Sequence, residues 1–234
     1  VSFASAPLLA DGIPTGNLTL TKGSDRIWSA DEVNSLRAIA ALFAQLQGRI
    51  AAEEQLRHNA THDDLTGLSN RSALLTHLGT RLEEGCDGPA VALFIDLDRF
   101  SALNDFLGHT AGDDFIRVMA DRLRERTGRR DFVARFGGDE FVVVPHGPMT
   151  VEDAEAEARR LKQILGERVK LGGESVSRSV SVGIAVGVPG QTSVQDMLRQ
   201  ADRSVVAAKA AGGNSIVRFT DAMRAAHEMR DDVE

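Results

Sequence analysis

The sequence predicts an α/β chain, a mixed central sheet flanked by helices, and three observations carry that expectation. Residues 90–95 form an unbroken apolar run, short enough for a strand covered on both faces. Two β-rich runs, 132–136 and 141–144, flank Gly137-Gly138 as the arms of a hairpin would. Helical periods separate these runs from later strands. The resulting order from residue 60 on, α-β-α-α-β-β-α-β-α-β, combines crossovers with one hairpin.

The early part of the chain is organised differently. It opens at Val1 with neither a start methionine nor a signal pattern, and so reads as a piece cut from a longer protein. Residues 16–21 alternate apolar and polar side chains like a half-buried strand. Ser29-Ala30-Asp31-Glu32 has capping-box spacing, with a hydroxyl and a carboxylate able to satisfy each other's backbone amides. Leu36, Ile39, Phe43, Leu46 and Ile50 then recur at three- and four-residue intervals along one helical stripe. Two repeats fit a seam against a second chain and a helix lying on its own domain equally well.

A second unit starts near Ala60. Residues 71–84 predict a helix with Leu74, Leu75, Leu78 and Leu82 inward, followed by the 90–95 strand. Residues 101–126 predict a helix interrupted near Gly108 and Gly112. After the hairpin, residues 150–169 read as helix, and Val176, Val180, Val182, Ile184 and Val186 alternate as a strand. Residues 193–211 form a further helix and 215–219 a last strand, and the charged tail from Thr220 is helical.

Composition narrows the function. At 234 residues and 42% hydrophobic content the chain can bury one good core, or one and part of a second. No apolar run approaches the roughly 20 residues of a membrane helix. The single cysteine, Cys86, excludes a disulfide framework and a cysteine-rich zinc site. A net charge of −7 argues against broad nucleic-acid binding, and ten Phe with one Trp and no Tyr leave little for base stacking. These features predict a cytoplasmic protein with no membrane span and no nucleic-acid partner.

Three segments carry chemistry. Phe94-Ile95-Asp96-Leu97-Asp98 puts acids at the end of a buried strand, where an unpaired carboxylate is costly and where α/β sheets hold ligands. Arg135-Phe136-Gly137-Gly138-Asp139-Glu140-Phe141 predicts a two-residue turn at Gly137-Gly138 with two carboxylates directly after it. Lys209 is a lone cation late in a helix that ends at Gly212-Gly213, within reach of a phosphate. Asp96, Asp139 and Glu140 brought together would repel one another. A hard divalent ion such as Mg²⁺ relieves that repulsion with a few carboxylates and substrate phosphate oxygens.

Gly137-Gly138-Asp139-Glu140-Phe141 is identified as the signature of the GGDEF family, the diguanylate cyclases. His62-Asp63-Asp64-Leu65-Thr66-Gly67-Leu68-Ser69-Asn70-Arg71 resembles the family's opening motif. Asp96-Leu97-Asp98-Arg99-Phe100, Asn104-Asp105, Gly108-His109 and Gly112-Asp113 resemble its metal- and guanine-binding stretch. Ser181-Val182-Gly183-Ile184-Ala185 and Ala208-Lys209 with Gly212-Gly213-Asn214 resemble its closing motifs. The likeness spans residues 60–219. Residues 1–59 resemble the last strand and helix of a GAF-like domain with a signalling helix. Residues 220–234 resemble a linker helix leading to an EAL phosphodiesterase domain.

The resemblance implies a palm-like fold similar to that of nucleotidyl cyclases and polymerases. It also implies an enzyme that condenses two GTP into cyclic di-GMP and two pyrophosphates, working as a homodimer. Asp96, Glu140 and the Leu97 carbonyl would ligate Mg²⁺, for which Mn²⁺ can substitute. Asp139 would be a further ligand or would help deprotonate the attacking hydroxyl. Asn104 and Asp113 would read guanine, the backbone amides from Phe100 to Leu103 and Lys209 would hold phosphates, and Gly138 would lie against the ribose. Four departures stand out: Ser101 replaces a usual lysine, Gly213 a frequent arginine and Val206 a frequent aromatic. The family's Arg-x-x-Asp feedback site reads Gly128-Arg129-Arg130-Asp131, which leaves Asp131 without its first arginine, with Arg129 one position away as the available substitute, and implies weak or no product inhibition. Ser101 and Gly213 fit an alternative, a catalytically weak GTP-binding domain that regulates an attached EAL phosphodiesterase domain.

Overall fold

The computed structural model describes residues 1–10, 12–84, 88–220 and 222–223. Cys86 and most of the expected tail helix lie outside them. The chain divides into two compact units, Val1–Asn59 and Ala60–Glu234.

In the first unit, β1 (Ser2–Ala10) and β2 (Ile13–Lys22) form an antiparallel hairpin, and α1 (Ala30–Thr61) follows. The capping box forms as expected: the Ser29 amide donates to Glu32 at 2.8 Å and the Glu32 amide to the Ser29 hydroxyl at 3.2 Å. The helix buries Leu36, Ala40 and Ala44, a four-residue ridge, and Leu36 and Ala40 pack with Ala4, Ala6, Leu8 and Leu18 of the hairpin. Leu36 therefore leaves the expected stripe for the hairpin, while Ile39, Phe43, Leu46 and Ile50 are 45–53% exposed.

The second unit holds α2 (Arg71–Arg81), β3 (Ala90–Leu97), α3 (Phe100–Leu107), α4 (His109–Arg126), β4 (Phe132–Gly137) and β5 (Glu140–Val144). Then come α5 (Val151–Leu165), β6 (Val169–Leu171), β7 (Glu174–Val176), β8 (Val180–Gly187), α6 (Val194–Ala210) and β9 (Ile216–Arg218). The sheet order is β4-β5-β3-β8-β9, antiparallel except for the β8–β9 pair, so it is mixed as expected. All eight residues of the central β3 are buried. Leu93, Ile95 and Leu97 pack with Phe115, Met119 and Leu161 under α4 and α5. Ala92 and Phe94 alternate to the other face, with Leu74 and Leu78 of α2 and Met197 and Ala201 of α6.

Several expected boundaries shift. The helix from α5 ends at Leu165 rather than 169. Arg122 of α4 donates to the carbonyls of Ile164, Leu165, Glu167 and Arg168, which caps that end from outside. Val169 then enters a short hairpin with turn Gly172-Gly173, which takes up Val176 and leaves β8 to begin at Val180. The α3–α4 interruption falls at Gly108 alone, and Gly112 lies inside α4. Gly137 pairs with Glu140, so the β4–β5 turn is Gly138-Asp139, not Gly137-Gly138. Only Gly138 has positive φ (47°), and a register shift between Arg135 and Gly137 accounts for the moved turn.

Candidate active site

Alternation along β3 sends Asp96 to the α2/α6 face, and Glu140 stands directly opposite it on β5. Asp139 precedes Glu140 in the turn, and its carbonyl accepts from the Leu97 amide at 3.3 Å. Lys209, from the last turn of α6, brings its ammonium to 2.6 Å from Asp96 Oδ2. Asp96 is 4% exposed, and its other oxygen, Oδ1, is buried without a hydrogen-bond partner.

The electrostatics follow from this placement. Burial raises the Asp96 carboxyl above the ordinary range, against the pull of Lys209 and with help from the Asp139 and Asp98 charges. Glu140 is raised by burial first and then by the charges of Asp96 and Asp139. Burial would lower Lys209, but its hydrogen bond to Asp96 and the surrounding acids outweigh this and raise it. Among the described residues no group of three or more His, Cys, Asp or Glu forms a metal cage; two carboxylates and an ammonium meet instead. The unpartnered Asp96 Oδ1, on a residue paired across the strands with Glu140, nevertheless fits a divalent cation, which would satisfy both acids.

On the other side of the strand end, Asn104 of α3 lies over Gly112 of α4. A Cβ on Gly112 would fall 1.8 Å from Asn104 Oδ1, an atom that is also buried without a partner. This brings Asn104 beside the exposed Asp113. Phe100 opens α3 after Arg99, which takes a left-handed backbone (φ 56°), and no side chain caps that helix start. Ser101 is exposed there. The expected feedback residue Asp131 lies apart from these groups, its carboxylate accepting from the amides of Gly128 (2.6 Å) and His146 (2.9 Å).

Two supports escaped the sequence reading. Asp98 accepts from the hydroxyls of Ser179 and Ser181 and from the Asn214 amide, each at 2.7 Å, and so ties the ends of β3 and β8 to the loop after α6. The signal for it was modest: a second acid in phase with Asp96, and serines two apart. Arg135 reaches both oxygens of Asp63 at 3.1 Å and the Gly138 carbonyl at 2.8 and 3.0 Å. Burial would raise Asp63, but the Thr66 hydrogen bonds and Arg135 hold it below the usual range. A pair 72 residues apart leaves no local pattern to find.

Residues 60–215 match the family described as diguanylate cyclase, GGDEF domain. An uncharacterized protein of Mycobacterium tuberculosis is 50% identical over 100% of this chain, which spans 37% of that protein's length. Diguanylate cyclase DgcP of Escherichia coli is 33% identical over 86% of this chain and 62% of its own. A solved structure of the coiled coil and GGDEF domain of DgcB from Caulobacter crescentus, in complex with c-di-GMP, is 26% identical. It superposes with a TM-score of 0.70 over 77% of this chain and 97% of that one, so the palm-like fold is shared. The helices of the described residues are all too short or too polar to cross a membrane.

Proposed function

The chain belongs to the GGDEF family of diguanylate cyclase domains, and from that premise we propose that it condenses two GTP into cyclic di-GMP with release of two pyrophosphates. The observation that carries this reading is the buried Asp96 facing Glu140 at the end of β3, with one carboxylate oxygen unpartnered. Asp96, Glu140 and the Leu97 carbonyl would hold Mg²⁺ or Mn²⁺, with Asp139 beside them. When bound, the ion supplies a Lewis acid that acidifies a hydroxyl and offsets phosphate charge.

The chain's own groups do the rest. Asn104 and Asp113 read the guanine edge, since the amide offers donor and acceptor and the carboxylate accepts from the ring N–H and exocyclic amine. The backbone amides at the start of α3, from Phe100 to Leu103, receive phosphate oxygens, and Lys209 adds a point charge. Gly138 presents bare backbone to the ribose. The 3′-hydroxyl of one GTP attacks the α-phosphorus of the other, Asp139 assists departure of the hydroxyl proton, and pyrophosphate leaves in line. Each domain holds one GTP, so two copies must face each other and their alignment sets the effective molarity. The exposed Ile39–Phe43–Leu46–Ile50 stripe supports a homodimer seam.

We assign residues 1–59 to the end of a GAF-like domain with its signalling helix, 60–219 to the catalytic domain and 220–234 to a linker toward an EAL domain. A GTP substrate implies a cytoplasmic setting. A second reading, a GTP-binding regulator of an attached EAL domain, draws on Ser101 and on Gly213, whose φ of 74° disfavours the arginine it replaces. Cyclic di-GMP formation from GTP and Mg²⁺, measured over a range of protein concentrations beside Glu140→Ala, separates the two. Product that rises steeply with concentration and vanishes in Glu140→Ala supports the enzyme, and GTP uptake without product supports the regulator.

A further inference from the structure

We propose that Lys209 is an exchangeable counter-ion: it holds Asp96 in the unliganded domain and leaves for nucleotide phosphate when a divalent cation arrives. Cation and nucleotide then bind as a coupled pair, and the cation alone binds weakly. This rests on the cyclase reading above and concerns the order in which that site fills.

The two acids at the end of β3 are held in contrasting ways. Asp98 has both oxygens taken by fixed neutral donors, Ser179, Ser181 and the Asn214 amide. Asp96 has one oxygen on the Lys209 ammonium at 2.6 Å and the other unpartnered. Asp98 is thus a permanent tie, whereas Asp96 is held by one cation on a flexible stem. That stem is free to move, because the Lys209 side chain is 47% exposed while Asp96 is buried. A divalent ion bridging Asp96 and Glu140 would meet the ammonium within a few ångströms, where like charges oppose each other strongly at protein dielectric. A triphosphate offers the ammonium a new anionic partner and removes that opposition. Each ligand therefore strengthens the other by the same factor.

The test is Mn²⁺ uptake at pH 8, followed by the magnetic resonance signal of the free ion, with and without α,β-methylene-GTP, which cannot release pyrophosphate. For the wild-type chain the analogue should tighten Mn²⁺ binding by about tenfold or more, the size of a one-unit shift from a neighbouring charge. Lys209→Met should bind Mn²⁺ alone about tenfold tighter than wild type, and the analogue should then tighten it by correspondingly less, the direct attraction of cation for phosphate being all that remains. Lys209→Gln repeats this with a polar head in place, and Lys209→Arg, which keeps the charge, should keep the weak binding of the bare ion. A Lys209→Met chain that takes up the analogue but binds bare Mn²⁺ no tighter than wild type overturns the exchange and leaves the cyclase reading standing. A wild-type chain that takes up neither ion nor analogue overturns both.

Discussion

Removing one acid from the site should make the ligand-free protein more stable while disabling it. Glu140→Gln is the cleanest form, because it keeps the shape and deletes the charge. Carboxylates on directly opposed residues of an antiparallel pair stand about 5 Å apart, and at an effective dielectric of about 20 they repel by about 3 kcal/mol. Lys209 at 2.6 Å from Asp96 cancels part of this. Water reaching the half-buried Glu140 screens more, which leaves about 1 kcal/mol of relief. For a chain of this size that is a rise of about 2–4 °C in Tm. The folded-state pKa of Glu140 lies above its ordinary 4.5, so the wild-type penalty grows as pH rises through that value. The variant's advantage should be absent below about pH 4.5 and grow as the pH is raised above it. Scanning calorimetry in chelator, over that pH range, measures it. The same scan with Mg²⁺ and α,β-methylene-GTP should raise the Tm of wild type and not of the variant. A Glu140→Gln protein that melts at or below the wild-type temperature at pH 8 refutes the claim that these carboxylates strain the fold.

Four other outcomes follow from the geometry. Gly112→Ala places a methyl group on the Asn104 amide, so nucleotide uptake should fall by at least about tenfold, read by calorimetric titration with the GTP analogue. Asp131→Ala should lower Tm by a few degrees, since it frees the amides of Gly128 and His146, without changing cyclic di-GMP affinity; loss of tight product binding in that variant would contradict it. Phe43→Glu with Leu46→Glu should reduce cyclase activity at low protein concentration and leave Tm within about 1 °C, because both residues are about half exposed. Leu36→Glu, by contrast, should destabilise the first unit outright.

Local chemistry made much of the fold legible. Thr150 and Ser193 cap α5 and α6 by accepting from the third amide onward, as Ser29 does for α1, and each was visible as a polar residue ahead of a helical period. The all-apolar run of β3 announced a strand covered on both sides. The failures come from competition between distant segments. The same dipeptide, Gly-Gly, lies between strand-like runs at 137–138 and at 172–173, but of these two only 172–173 forms the hairpin turn with both residues at positive φ. At the first, the pairing of Gly137 with Glu140 displaces the turn by one residue. β1 was missed because Pro7 interrupts its alternation, which an edge strand tolerates. At the site, Asp96, Glu140 and Lys209 could be named from residue type and neighbours. The ion pair between Asp96 and Lys209 could not, because it depends on how α6 lies over the sheet.

The in-and-out alternation of β3 has one more consequence. It turns Asp96, with Glu140 paired across from it, toward one layer of helices, while α3, which carries Asn104, packs through Leu103 with Phe115 in the opposite layer. A molecule gripped at both places would have to drape over the strand end like a strap over a rail.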